Sequence, residues 1–164
     1  MFSLRDICPD DAEAVVNLLN PIIEVGCYTA FTSPFTVAAE LEFIENFPAR
    51  GNFLGAFHDH ELLGFQVVTP PGQLPAFDHV GEIGTYVRLE SHRLGVAGKL
   101  YEATFGQTRI KGYEKLVAWV RADNEAELRS YTRYGFQRVG VAKKHAKIGG
   151  RYIDEVLLEH HLSS

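Results

Sequence analysis

The stretch Glu82–Gly98, EIGTYVRLESHRLGVAG, reads as a strand, a short polar loop and a glycine-spaced helix start. Ile83, Thr85, Tyr86 and Val87 are β-branched or aromatic and suit a pleated, half-buried strand. After the loop, Gly95, Ala97 and Gly98 precede the helix formers Lys99-Leu100-Tyr101-Glu102-Ala103. A helix that opens on small residues leaves its first N–H groups unpaired and lets an anion come close. The macrodipole adds partial positive charge at the same end, so a phosphate or pyrophosphate is the natural guest. Two common phosphate-binding patterns do not fit. A P-loop needs G-x-x-x-x-G-K-[ST], but Gly98-Lys99 is followed by Leu100 and Arg93 stands where the first glycine belongs. A dinucleotide fingerprint needs three spaced glycines early in a βαβ unit, and this stretch lies past the chain's midpoint.

The 164 residues suit one domain, expected to span 1–164, and suffice for a substantial core. Charged residues at 23% and hydrophobic ones at 46% are ordinary for a globular protein. A net charge of −5 argues against nucleic acid as the main partner. Cys8 and Cys27 show no metal-ligand spacing and no disulfide framework. No signal-peptide layout or bilayer-length apolar run is visible, so a cytoplasmic protein without a membrane partner is expected.

From the N-terminus, Phe2–Ile7 is a short strand. Pro9-Asp10-Asp11 starts a helix whose stripe is Val15, Leu18, Leu19 and Ile22, with Pro21 expected to kink or end it near Asn20. The loop Val25–Phe35 carries Tyr28, Phe31 and Phe35; these rings either pin it to the core or wall a substrate pocket. Thr36–Asn46 is a second helix, with Val37, Leu41 and Ile44 on one face. Phe53–Phe57 and Leu62–Val68 form a hairpin around His58-Asp59-His60-Glu61, a polar turn rather than a metal site because no third ligand is near. The Pro- and Gly-rich Thr69–His79 is an irregular loop. The third helix has a stripe of Val96, Leu100, Ala103 and Ile110, followed by an apolar, central strand Leu116–Val120. Asn124 opens a fourth helix carrying Leu128, Tyr131 and Tyr134 up to Gly135-Phe136. Gln137–Lys143 and Arg151–Glu159 are strands joined across Gly149-Gly150. The order is β-α-α-β-β-β-α-β-α-β-β.

Three features resemble the GNAT superfamily of acetyl-CoA-dependent N-acetyltransferases. Its motif [QR]-x-x-G-x-[GA] falls on His92-Arg93-Leu94-Gly95-Val96-Ala97, with His92 where Gln or Arg is usual. Its closing motif, an Asn opening a helix, a Tyr seven residues on and then Gly-Phe, matches Asn124, Tyr131 and Gly135-Phe136. The element order is similar over essentially the whole chain. Within the superfamily the chain looks like the phosphinothricin/methionine sulfoximine acetyltransferase branch, through Leu4-Arg5-Asp6, Glu82-x-x-x-Tyr86-Val87 and Gly150-x-Tyr152-x-Asp154. The resemblance implies an α/β (α+β) fold, one mixed and mostly antiparallel sheet of about six or seven strands flanked by four helices.

It also implies acetyl-CoA as cosubstrate and a small, amino-acid-like amine as acceptor, attacked directly in a ternary complex. Another acceptor (a polyamine, an aminoglycoside, a protein N-terminus) or a non-catalytic acetyl-CoA-binding module are the alternatives. An ammonium must lose a proton before it can attack a thioester; Glu82 is the family-position base, against a plain strand glutamate. Tyr131 corresponds to the donor for the leaving thiolate, against a core tyrosine. Backbone around Tyr86 and Val87 is implied for the pantetheine arm, with Asn124 beside it. The segment His92, Arg93, Leu94, Gly95, Val96, Ala97 and Gly98 is implied for the pyrophosphate. Tyr28, Phe31 and Phe35 are the candidate acceptor wall. No metal is expected, and a homodimer is compatible with the family.

Overall fold

The computed structural model describes residues 1–72 and 74–162; Gln73, inside the expected irregular loop, lies outside the described residues. The elements are β1 (Ser3–Asp6), α1 (Ala12–Val25), α2 (Val37–Glu45), β2 (Asn52–His58), β3 (Glu61–Thr69), β4 (Val80–Val87), α3 (Val96–Ile110), β5 (Lys115–Arg121), α4 (Glu125–Arg133), β6 (Gln137–Ile148) and β7 (Arg151–His161). Short 3₁₀ turns occupy Pro9–Asp11, Pro75–Phe77 and Leu89–Ser91. This is the expected order of strands and helices. The seven strands form one sheet in the order β1-β2-β3-β4-β5-β7-β6. All neighbours run antiparallel except β4 and β5, which are parallel.

The alternation of apolar residues along the strands gives the sheet two buried faces. On one, α1 and α2 press Val15, Leu18, Leu19, Ile22 and Ile44 against Phe53, Phe57 and Phe65. On the other, α3 and α4 cover Ile83, Leu116, Ala118 and Val120 with Tyr101 and Tyr131. The sequence reads β5 as apolar throughout, yet only one of its faces is closed: Leu116, Ala118 and Val120 are buried, while Trp119 is 39% exposed on the other. Among the described residues no helix is long and apolar enough to cross a membrane.

Two local expectations need correction. Pro21 does not end α1, which runs on to Val25 and closes at left-handed Gly26. Pro21 and Asn17 both lie on the exposed face, where water can satisfy the Asn17 carbonyl that proline leaves without an N–H partner, while Ile22 and Ile23 stay packed. Ile110 is 89% exposed and does not join the α3 stripe. Ten residues beyond Leu100 it has rotated about 80° off that line, and Tyr101, Thr104 and Thr108 take the buried positions instead.

What the fold does for function begins where β4 and β5 part. They share only the rungs Val80↔Lys115, Gly81↔Leu116 and Glu82↔Val117. Beyond these the two strands continue to Val87 and Arg121 without pairing, leaving a fork in the middle of the sheet. Thr85 faces the α3–α4 side of the fork. Glu82, Gly84 and Tyr86 share the other side, as the strand period predicts; a β-carbon built on Gly84 would meet the Tyr86 ring at 3.1 Å.

Candidate functional site

A cavity of about 760 Å³ runs from the N-terminus of α3 to this fork, within the size range of small-ligand sites. His92, Arg93, Gly95, Val96, Ala97 and Gly98 line it at the start of α3, and Arg129 and Arg133 of α4 line it as well. The rest of the wall includes Thr85, Tyr86, Val87, Tyr101, Asn124, Glu127 and Ser130, with Tyr28 and Leu89.

The start of α3 leaves a row of backbone donors unpaired. Gly95 is the N-cap of α3 at φ 81°, a left-handed conformation, and Arg93 shares that region at φ 70°. The N–H groups of Gly95, Val96, Ala97 and Gly98 have no hydrogen-bond partner among the described residues. A β-carbon built on Gly95 would touch nothing within 4 Å. The approach to the free N–H groups is therefore open, and Arg93, Arg129 and Arg133 supply cations around it. Two members of the motif take other roles. Leu94 is 63% exposed and absent from the cavity wall, and its N–H already points at Ser91 O, at 3.4 Å. His92 ties the loop to β4, its Nε2 lying 3.2 Å from Val87 O.

Of the aromatic loop, Tyr28 reaches the cavity wall and Phe31 and Phe35 do not. Phe31 stacks on Tyr86 at 6.3 Å and meets Phe35 edge-on at 5.0 Å. Asn20 brackets the Phe35 backbone with two 2.9 Å hydrogen bonds. The buried Arg121, paired with Asp123, donates to Gly26 O (2.9 Å) and Thr29 O (3.1 Å). The loop is thus pinned at both ends while Phe31 shields Tyr86 on the Glu82 side of the fork.

Glu82 is exposed and makes no hydrogen bond or ion pair among the described residues. It stands on the last rung before the strands part, on the face away from α3 and α4, and does not line the cavity. Tyr131 is 1% exposed and also lies behind the wall. Its hydroxyl is 3.1 Å from Thr85 Oγ1 and 3.5 Å from Ile83 O, while Gln66 Nε2 donates to the same threonine at 3.1 Å. The phenol nominated from the sequence is thus screened from the cavity by Thr85 and Tyr101, which both line it. Burial, chiefly, keeps its proton on well above the usual tyrosine range, with Tyr101 and Glu127 adding to the effect.

Asn124 lines the cavity and also caps α4, its Oδ1 accepting from Glu127 N at 3.2 Å. Its Nδ2 donates to Glu127 Oε2 at 2.8 Å and to Tyr28 O at 3.2 Å.

Glu127 is the group that sequence reasoning missed. Asn-x-x-Glu at a helix start reads as a capping box, in which the glutamate returns to the cap N–H. Here that N–H bonds Arg121 O, so the carboxyl turns to the Asn124 amide and the cavity. Burial raises its pKa from an ordinary 4.5 to about 8. The helix dipole opposes this, but it is worth up to about 1 kcal/mol at an exposed terminus, less than one pH unit, so burial wins. The raised value means that the folded chain keeps a proton that the unfolded chain releases. The associated stability is complete below the ordinary value and is lost as pH rises through about 8. Denaturant titrations should therefore show wild type losing stability between about pH 5 and pH 8 relative to Glu127→Gln, which cannot ionise. Parallel curves would mean that the carboxyl is solvated.

Residues 21–136 match the acetyltransferase (GNAT) family. The chain is 26% identical over 157 residues to a phosphinothricin N-acetyltransferase of Streptomyces coelicolor, covering 93% of this chain and 92% of that one. Among solved structures, an N-acetyltransferase from Staphylococcus aureus superposes with a TM-score of 0.92 at 21% identity, covering 99% of both chains. A phosphinothricin acetyltransferase from Sinorhizobium meliloti, solved with acetyl-CoA, gives 0.90 at 16% identity, over 99% of this chain and 89% of that one. At those identities the two superpositions establish the architecture.

Proposed function

The chain belongs to the acetyltransferase (GNAT) family, and we propose on that premise that it is an acetyl-CoA-dependent N-acetyltransferase acting on a small, amino-acid-like amine. The observation that carries the reading is the row of free N–H groups at Gly95–Gly98, opening into a cavity that reaches the fork between β4 and β5. Those groups, with Arg93, would hold the pyrophosphate. The backbone beside Tyr86 and Val87 and the Asn124 side chain would flank the pantetheine arm. Acetyl-CoA supplies an activated acetyl thioester.

The chain's own residues divide the remaining work between the two faces of the sheet. Glu82, free of partners on the open face, takes the ammonium proton of the acceptor, directly or through a water. Tyr86 and the ring of Phe31 stacked on it wall the approach, with Tyr28 at the inner end. Tyr131 and Gln66 fix the Thr85 hydroxyl from behind. Direct attack needs no acetyl-enzyme, in keeping with Cys8 and Cys27 lying exposed in β1–α1 and α1–α2 connections away from the cavity wall. The substrate class rests on the likeness to the Streptomyces coelicolor enzyme and on the short, ring-walled loop, which suits a small molecule better than a peptide.

The test is release of free thiol from acetyl-CoA with a panel of amines: phosphinothricin, methionine sulfoximine, methionine sulfone, common amino acids, a polyamine, an aminoglycoside and a short peptide. Turnover is expected with the amino-acid-like members. Turnover confined to the polyamine, the aminoglycoside or the peptide would overturn the substrate class. Acetyl-CoA binding without any turnover would favour a sensing module.

A further inference from the structure

We propose that Glu127 is the acid that protonates the leaving sulfur of CoA, a role that rests on the transferase reading above. Glu127, on α4, lines the cavity together with Thr85, Asn124 and Ser130, and the same cavity reaches the free N–H groups at the start of α3. Tyr131, which occupies the motif's tyrosine position, is walled off behind Thr85. Glu127 is therefore the acidic side chain in direct contact with the space where a thioester threaded from those N–H groups would end.

Its orientation is fixed. Asn124 Nδ2 donates to Oε2 at 2.8 Å, which leaves the proton to Oε1, an atom with no hydrogen-bond partner among the described residues. A carboxyl serving only the helix cap would bond the Asn124 N–H, but that N–H is spent on Arg121 O. The surroundings favour the protonated form. The titratable groups near enough to feel its charge are the hydroxyls of Tyr86 on β4, Tyr101 on α3 and Tyr131 on α4, whose own ionisation it opposes. Arg129 and Arg133 line the same cavity, yet burial dominates and raises the Glu127 pKa to about 8. A carboxyl held neutral at physiological pH is an acid rather than a base.

The step balances. The C–N bond forms and the C–S bond breaks, with the bonding pair going to sulfur. Glu127 gives sulfur its proton, and the excess proton on the new amide nitrogen returns to the Glu127 carboxylate through water. With the first ammonium proton passing from Glu82 to solvent, one proton is released per turnover.

The experiment compares wild type with Glu127→Gln, which preserves shape and can still accept from Asn124. Expected are acetyl-CoA affinity within about twofold of wild type by calorimetry, a fall in kcat of about 100-fold, and loss of the wild-type decline in kcat above about pH 8. Independently of turnover, the Glu127 carboxyl carbon, assigned in labelled protein by its disappearance in the variant, should titrate near pH 8. Equal kcat and pH profiles in the two proteins, or titration near the ordinary 4.5, would overturn the proposal and leave the transferase reading intact. A wild type that neither binds acetyl-CoA nor releases thiol would overturn both.

Discussion

Replacing Gly95 by valine should weaken acetyl-CoA binding by at least about 100-fold in calorimetry, with the fold retained by circular dichroism. Two effects combine. Gly95 sits at φ 81°, where a side-chain-bearing residue costs about 1–2 kcal/mol and a β-branched one is a genuine outlier. The backbone relieves that cost by rotating, which turns the N–H groups of Gly95 and Val96 off their common focus. The added carbons also stand in what is now open space, since a β-carbon there meets no protein atom within 4 Å. They would crowd an incoming phosphate without crowding the protein. Each charge-assisted hydrogen bond lost is worth about 1.5–3 kcal/mol, so one or two suffice for the predicted drop. Leu94→Ala is the control, because that side chain points to solvent and its loss should leave affinity unchanged. Wild-type affinity in Gly95→Val would move the phosphate site away from α3.

The unpaired N–H groups at Gly95–Gly98 were legible in the sequence because glycine spacing before a run of helix formers reports backbone directly. The fold was legible for a similar reason: the stripes Val15–Ile22 and Val96–Leu100 announce their helices whatever surrounds them. Where reading failed, the deciding factor was which way a face pointed. Pro21 breaks a helix only if the carbonyl it orphans is buried, and the sequence does not say that Asn17 faces water. Ile110 is apolar and near the expected period, yet it falls outside the face of α3 that Tyr101, Thr104 and Thr108 bury. Tyr131 and Glu127 show the same limit within the site. A tyrosine seven residues from a helix-capping asparagine marks a position on α4. The depth of Thr85 in front of it is set by β4, which is distant in sequence. Glu127 wears the pattern of a helix cap, and only the bond from Asn124 N–H to Arg121 O frees its carboxyl for the cavity.

Glu82→Gln should lower kcat by about 10²–10⁴-fold at neutral pH and flatten the rise of rate with pH, while leaving acetyl-CoA affinity unchanged. The separation follows from topology. Glu82 is on the opposite face of β4 from Thr85 and contributes nothing to the cavity wall, so its loss should register in proton removal from the acceptor and not in cosubstrate binding. Its pairing with Val117 closes the ladder, and on the proposed reading the gap beyond that rung is where an amine on one face would meet a thioester held on the other. The two carboxylates therefore predict opposite deformations of one pH–rate curve. Glu82→Gln removes the rising limb, and Glu127→Gln removes the falling one. If the two acted on the same proton, the double variant would be no slower than the worse single. If they act on separate protons from separate faces, the losses should multiply, because each is coupled to a different bond change. A pH–rate profile unaltered in Glu82→Gln would take the base role from this residue and leave a solvated strand glutamate.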